Sequence, residues 1–136
     1  CLRWWKSFDH SLNEVLLWHG TTRDSVDVIA KGGMDERVSS LQSMLGAGLY
    51  FAQDSCKSGQ YASKDRSSSH WFLLCRVILG NPYITQDAMP GRRRAPDRCD
   101  SVIFQSAPGV AVQHREFVVY DRRQVYPEYI IEARTR

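Results

Sequence analysis

Residues 115–121 read REFVVYD, and the reading of this stretch decides the fold. Side chains alternate along a strand, so Phe117 and Val119 point one way while Val118 and Tyr120 point the other. Apolar residues on both sides predict a strand buried on both faces. One residue breaks the pattern. A lone glutamate such as Glu116 commonly sits at a solvated strand end beside a cation, here Arg115, because burial strips an ionised group of its hydration. The other reading is a buried site that uses negative charge.

Working outward, EVLLW (14–18) is a short apolar strand that delivers His19-Gly20 to a turn. TTRDSVDVIAKGG (21–33) predicts a helix capped by Thr22 or Asp24, apolar at Val26, Ile29 and Ala30, and ended by Gly32 or Gly33. Residues 34–47 show no period and predict a long loop, of the kind that often carries function. The strand GLYFA (48–52) and a short helix SCKSGQYASK (55–64) follow, the helix setting Ser58 and Tyr61 three residues apart on one face. HWFLLCRVILG (70–80) is a buried strand ended by Asn81-Pro82, after which residues 85–99 form a loop. DSVIFQ (100–105), REFVVYD and QVYPEYIIE (124–132) are three more strands, with Pro127 confined to an edge or a bulge. About six strands and two short helices, without regular alternation, predict a single α+β domain on largely antiparallel sheets.

The 136 residues suffice for one domain with its own core, and 43% hydrophobic with 24% charged residues is an ordinary globular composition. No apolar run approaches the roughly 20 residues of a membrane span, and no charged-then-apolar leader opens the chain, so an intracellular protein, in cytoplasm or nucleus, is expected. The cysteines at 1, 56, 75 and 99 form no CxxC pair, which fits a reducing compartment. The net charge of +3 is mild, its one dense cluster being Arg92, Arg93 and Arg94, a solvated loop or an anion contact. A start at Cys1, with Trp4 and Trp5 close behind, suggests a piece of something longer.

His19 at a strand end, Tyr50 in a Gly-flanked strand, Ser58 and Tyr61 on one helix face, and a late-strand Glu116 could together form an aromatic-walled cleft. Few, convergent polar groups suit a flat heteroaromatic ligand bearing an amide.

LLWHGTT, MLGAGLYFAQDSCKSGQYA and REFVVYDRRQVYPEYII, in that order, resemble the poly(ADP-ribose) polymerase family of diphtheria-toxin-like ADP-ribosyltransferases, over residues 14 to 131. The wording DER followed by MLGAGLYFA is most similar to the tankyrases, although Val38 stands where they carry a donor-loop His. The resemblance implies two packed, largely antiparallel sheets around an NAD cleft, with residues 1–136 one catalytic domain and 1–13 a lead-in. It implies a His19, Tyr50, Glu116 triad. His19 and Thr21 would bind the adenosine side of NAD, Gly20 would hold the nicotinamide carboxamide through its backbone, and Ser58 would add a third hydrogen bond. Tyr61 and Tyr50 would bracket the ring. Glu116, covered by NAD, would bind the ribose 2′-hydroxyl and activate the acceptor hydroxyl, with Lys57 paired to it or to the acceptor.

The implied activity is transfer of ADP-ribose from NAD, the co-substrate, to a protein acceptor, possibly the enzyme itself, with nucleic-acid acceptors left open. The triad glutamate is typical of polymer-forming members, whereas RRRAPDRCDSV and the short path to Glu116 look more like single-unit members; elongation is the expectation, with mono-ADP-ribosyl transfer or a non-catalytic NAD-binding module as alternatives. An NAD glycohydrolase and an RNA 2′-phosphotransferase are further rivals. The tankyrases' zinc cluster is replaced by SKDRSSSHWFLLCR, which holds only His70 and Cys75, so no metal is expected. No counterpart of the family's regulatory helical domain is present, which predicts ungated substrate access.

Overall fold

The structure is a computed structural model that describes residues 7–9, 12–55, 69–109 and 114–134. Its strands are β1 (Ser7–Asp9), β2 (Glu14–Thr21), β3 (Leu49–Ala52), β4 (Ser69–Ile78), β5 (Pro82–Thr85), β6 (Ser101–Gln105), β7 (Arg115–Val119) and β8 (Val125–Arg134). One α-helix, α1 (Arg23–Gly32), lies between β2 and β3. The expected helix over 55–64 falls outside the described residues. No described helix is long and apolar enough to cross a membrane.

Local signals set α1. The Thr22 hydroxyl accepts the Ser25 N–H at 3.2 Å, satisfying a first-turn donor that has no partner within the helix. At the other end Gly33, at φ +80°, donates its N–H to the Ile29 carbonyl. Val26 and Ile29 turn inward onto the sheet.

The sheet order is β5-β6-β7-β3-β2-β4-β8, with β1 on the same edge of β2 as β3. All neighbours run antiparallel except β5 and β6. The expected pair of sheets is therefore corrected: the described strands form one sheet, because Trp18 of β2 pairs with Ala52 of β3 and joins the two halves. β8 lies at the sheet end, and its register shifts between Tyr129 and Pro127, leaving Glu128 as the extra residue of a bulge. That is where a proline, lacking an N–H, is tolerated.

Both faces of β7 are buried, as its apolar alternation requires. On one side Phe117 and Val119 pack with Val15, Leu17, Leu49, Phe51, Leu73 and α1. On the other, Val118 and Tyr120 join Leu45 and Val102, with Tyr50, Met44, Met89 and Phe104 against them. A separate cluster of Leu16, Trp18, Phe72 and Leu74 occupies this second face over β2 and β4. The two clusters part where β3 meets β2.

Candidate active site

That parting is a fork. β2 and β3 share a single register pair, Trp18 with Ala52, while β2 stays paired to β4 along its whole length. Continued by one step, the ladder would set His19 against Phe51, and by two, Gly20 against Tyr50. Instead a cleft of about 570 Å³ opens there, lined by His19, Gly20, Leu49, Tyr50, Phe51, Ala52 and Glu116, and by Ser39, Ser43, Met44 and Gly48 of the preceding loop.

A side chain spans the mouth of the fork. His19 Nδ1 lies 2.8 Å from the Tyr50 carbonyl oxygen; a carbonyl only accepts, so Nδ1 carries the proton. Burial lowers the His19 pKa, with the Tyr50 bond a smaller opposing influence. The ring is held neutral, with its lone pair on Nε2. His19 thus presents an acceptor, suited to a hydroxyl.

The same bond orients the backbone. Peptide groups alternate sides along a strand, so a Tyr50 carbonyl facing β2 means that Ala52 also faces β2. Its partner Trp18 then faces β3, and two residues on so does Gly20. The N–H and C=O of Gly20 accordingly point to the side from which β3 has diverged.

Tyr50 contributes a ring. Its hydroxyl accepts the Leu45 N–H at 2.9 Å and donates to the Gly46 carbonyl at 2.7 Å, so it is committed to the loop. Burial raises its pKa, and the nearby Glu116 adds to the effect. Glu116 stands on the face of Val118 and Tyr120, directly between Ala52 of β3 and Phe104 of β6. Its residue is 5% exposed in the chain by itself. The expectation that NAD supplies its cover is corrected: protein packing already buries this glutamate, and the small Ala52 side chain leaves room beside it.

His19, Gly20, Tyr50 and Glu116 are thus brought together. Thr21 is buried at the end of β2 and does not line the cleft. Val38 is 84% exposed and also lies off the lining. Lys57, Ser58 and Tyr61 fall outside the described residues. Ser39, Ser43 and Met44 were not foreseen; the length of their loop signalled function, but not which residues turn inward. Among the described residues no group of three or more His, Cys, Asp or Glu could hold a metal ion.

The family model for the poly(ADP-ribose) polymerase catalytic domain matches residues 2–135. This chain belongs to that family. Similar poly(ADP-ribose) polymerase relatives include protein mono-ADP-ribosyltransferase PARP12 of Mus musculus, 33% identical over 125 residues that cover 91% of this chain and 17% of that protein. Protein mono-ADP-ribosyltransferase PARP11 of Homo sapiens is 28% identical over 141 residues, covering 89% of this chain and 41% of that protein. Protein mono-ADP-ribosyltransferase PARP3 of Gallus gallus is 36% identical over 98 residues, covering 71% and 18%. The chain spans less than half the length of each.

Proposed function

We propose that this poly(ADP-ribose) polymerase-family chain is an NAD-dependent ADP-ribosyltransferase domain that moves one ADP-ribose unit to a protein acceptor and releases nicotinamide. The observation that carries this reading is the fork itself, where a main-chain donor and acceptor, a neutral imidazole, a tyrosine ring and a buried carboxylate line one cleft. Its volume lies within the roughly 300–1,000 Å³ typical of small-molecule sites.

This donor set fits NAD. Gly20 offers the N–H and C=O that a carboxamide pairs with, and Tyr50 offers a face to its ring; stacking of this kind contributes roughly 0.5–1.5 kcal/mol, enough to orient but not to break a bond. His19 Nε2 takes a hydroxyl on the adenosine side. By family resemblance Thr21 adds to that contact, Ser58 to the carboxamide, Tyr61 to the other ring face and Lys57 to the carboxylate or acceptor. When bound, NAD supplies an ADP-ribosyl group whose ribose gains positive charge as nicotinamide departs. A carboxylate fixed beforehand beside that ribose favours the transition state over the ground state, which makes Glu116 the catalytic residue. It also accepts the proton of the attacking hydroxyl.

The relatives' names support single-unit transfer, and the expectation of elongation gives way to that alternative. Glu116 favours elongation as the second reading. Incubating the protein with labelled NAD and an acceptor separates them on one gel: a single shifted band is expected, a ladder would move the assignment to elongation, and no label on protein would overturn transfer altogether.

A further inference from the structure

The loop that lines the cleft through Ser39, Ser43, Met44 and Gly48 contains no α-helix or strand. It is held from behind. Met89 donates its N–H to the Met44 carbonyl at 2.7 Å, Gly91 donates to Leu41 at 2.8 Å, and Ala47 donates to Arg92 at 2.8 Å. Residues 89–92 thereby form a strap along the loop's outer side, and at Gly46 the Arg92 main chain comes so close that a Cβ has no place.

Two tyrosine hydroxyls hold the loop from the sheet side. Tyr50 bridges the Leu45 N–H and the Gly46 carbonyl. Tyr120 donates to the Leu45 carbonyl at 2.6 Å, across 75 residues of sequence. Leu45 is fully buried and Tyr120 is 8% exposed, so water has little access to replace that bond. Tyr120 does not line the cleft; its hydroxyl meets the loop at Leu45, and its ring lies beside Gly48, which does line it.

We propose that Tyr120 is a positioning residue which keeps the cleft wall in its ligand-competent form. This rests on NAD being the occupant. Without the hydroxyl the Leu45 carbonyl loses its partner, and conformations in which residues 43–46 leave the cleft gain population. Apparent affinity then falls in proportion to the competent fraction, while the chemical step, reached once the wall is in place, keeps its rate.

The test is steady-state kinetics on the protein carrying Tyr120→Phe, which preserves the ring. KM for NAD should rise roughly 5- to 50-fold, the span of one lost buried hydrogen bond, with kcat within about 2-fold. Because Tyr50→Phe loosens the same loop, the two effects on KM should combine to less than their product. Gly91→Ala keeps the assay informative if Tyr120→Phe folds poorly: it strains the strap at φ +80° with no steric obstruction and should raise KM by about 2- to 10-fold. An unchanged KM in these variants, a fall in kcat that matches the change in KM, or effects that multiply independently would each overturn the inference. A wild-type protein that turns over no NAD would instead overturn the functional reading, and this one with it.

Discussion

His19 Nδ1 donates to the Tyr50 carbonyl at 2.8 Å, so an imidazole takes the place of a ladder hydrogen bond where β2 and β3 separate. Burial holds its pKa below the ordinary 6.5. Between that value and the lower folded one, the unfolded chain takes up a proton that the folded chain refuses. The resulting stability is complete above about pH 6.5 and is lost as pH falls through that window. Melting temperature should therefore drop between pH 7 and pH 5, and less so in His19→Asn. The bond-lowered pKa values of Asp35 and Asp121 act only below about 3.8 and do not overlap. Any His19-linked inflection in the KM for NAD should lie below 6.5, since the folded ring takes up its proton only at lower pH than the free imidazole.

Glu116 supplies the negative charge of the proposed mechanism from a largely buried position on the cleft wall. Glu116→Gln keeps shape and removes charge, so transfer should fall about 10²- to 10⁴-fold while a benzamide-like nicotinamide mimic binds as before. Label transfer and calorimetry read the two effects separately. Unaltered turnover would remove Glu116 from the chemistry.

Gly46 and Gly91 share a positive φ, +83° and +80°, but differ in what surrounds them. A side chain at Gly91 meets open space, whereas one at Gly46 meets the Arg92 backbone, which cannot swing aside as a flexible side chain would. Gly91→Ala should cost about 1–2 kcal/mol, the penalty of a left-handed conformation for an L-residue, and Gly46→Ala clearly more. Urea unfolding of the two variants checks the order, and equal losses would show that the strap does not press on the loop.

Much of this frame was legible from residue type and period. Thr22 and Gly33 bounded α1, and the apolar runs at Glu14, Leu49, Ser69, Ser101, Arg115 and Val125 became strands. β5 escaped because it opens with Pro82 and exposes Tyr83 and Ile84, leaving only the polar Thr85 buried, so no apolar alternation registers. β1 is three residues long, too short for any period to register. His19, Gly20, Tyr50 and Glu116 could be named because short motifs carry them in family order. The Tyr120 bond to Leu45 could not, since it depends on the path of a loop whose hydrogen bonds go to segments distant in the chain. The union of the described strands in one sheet was hidden for the same reason: it turns on one pair, Trp18 and Ala52.

The fork has jaws of unequal stiffness. β2 is seamed to β4 from Glu14 through Thr21, and β4 in turn to β8, whereas β3 is a four-residue strip backed by β7. Widening for a guest therefore falls to the short jaw, which bears the aromatic ring, while the long jaw keeps its glycine peptide still. Under the proposed reading a main-chain contact at Gly20 would stay rigid while the Tyr50 ring adjusts, and amide deuteration should reach β3 well before β2.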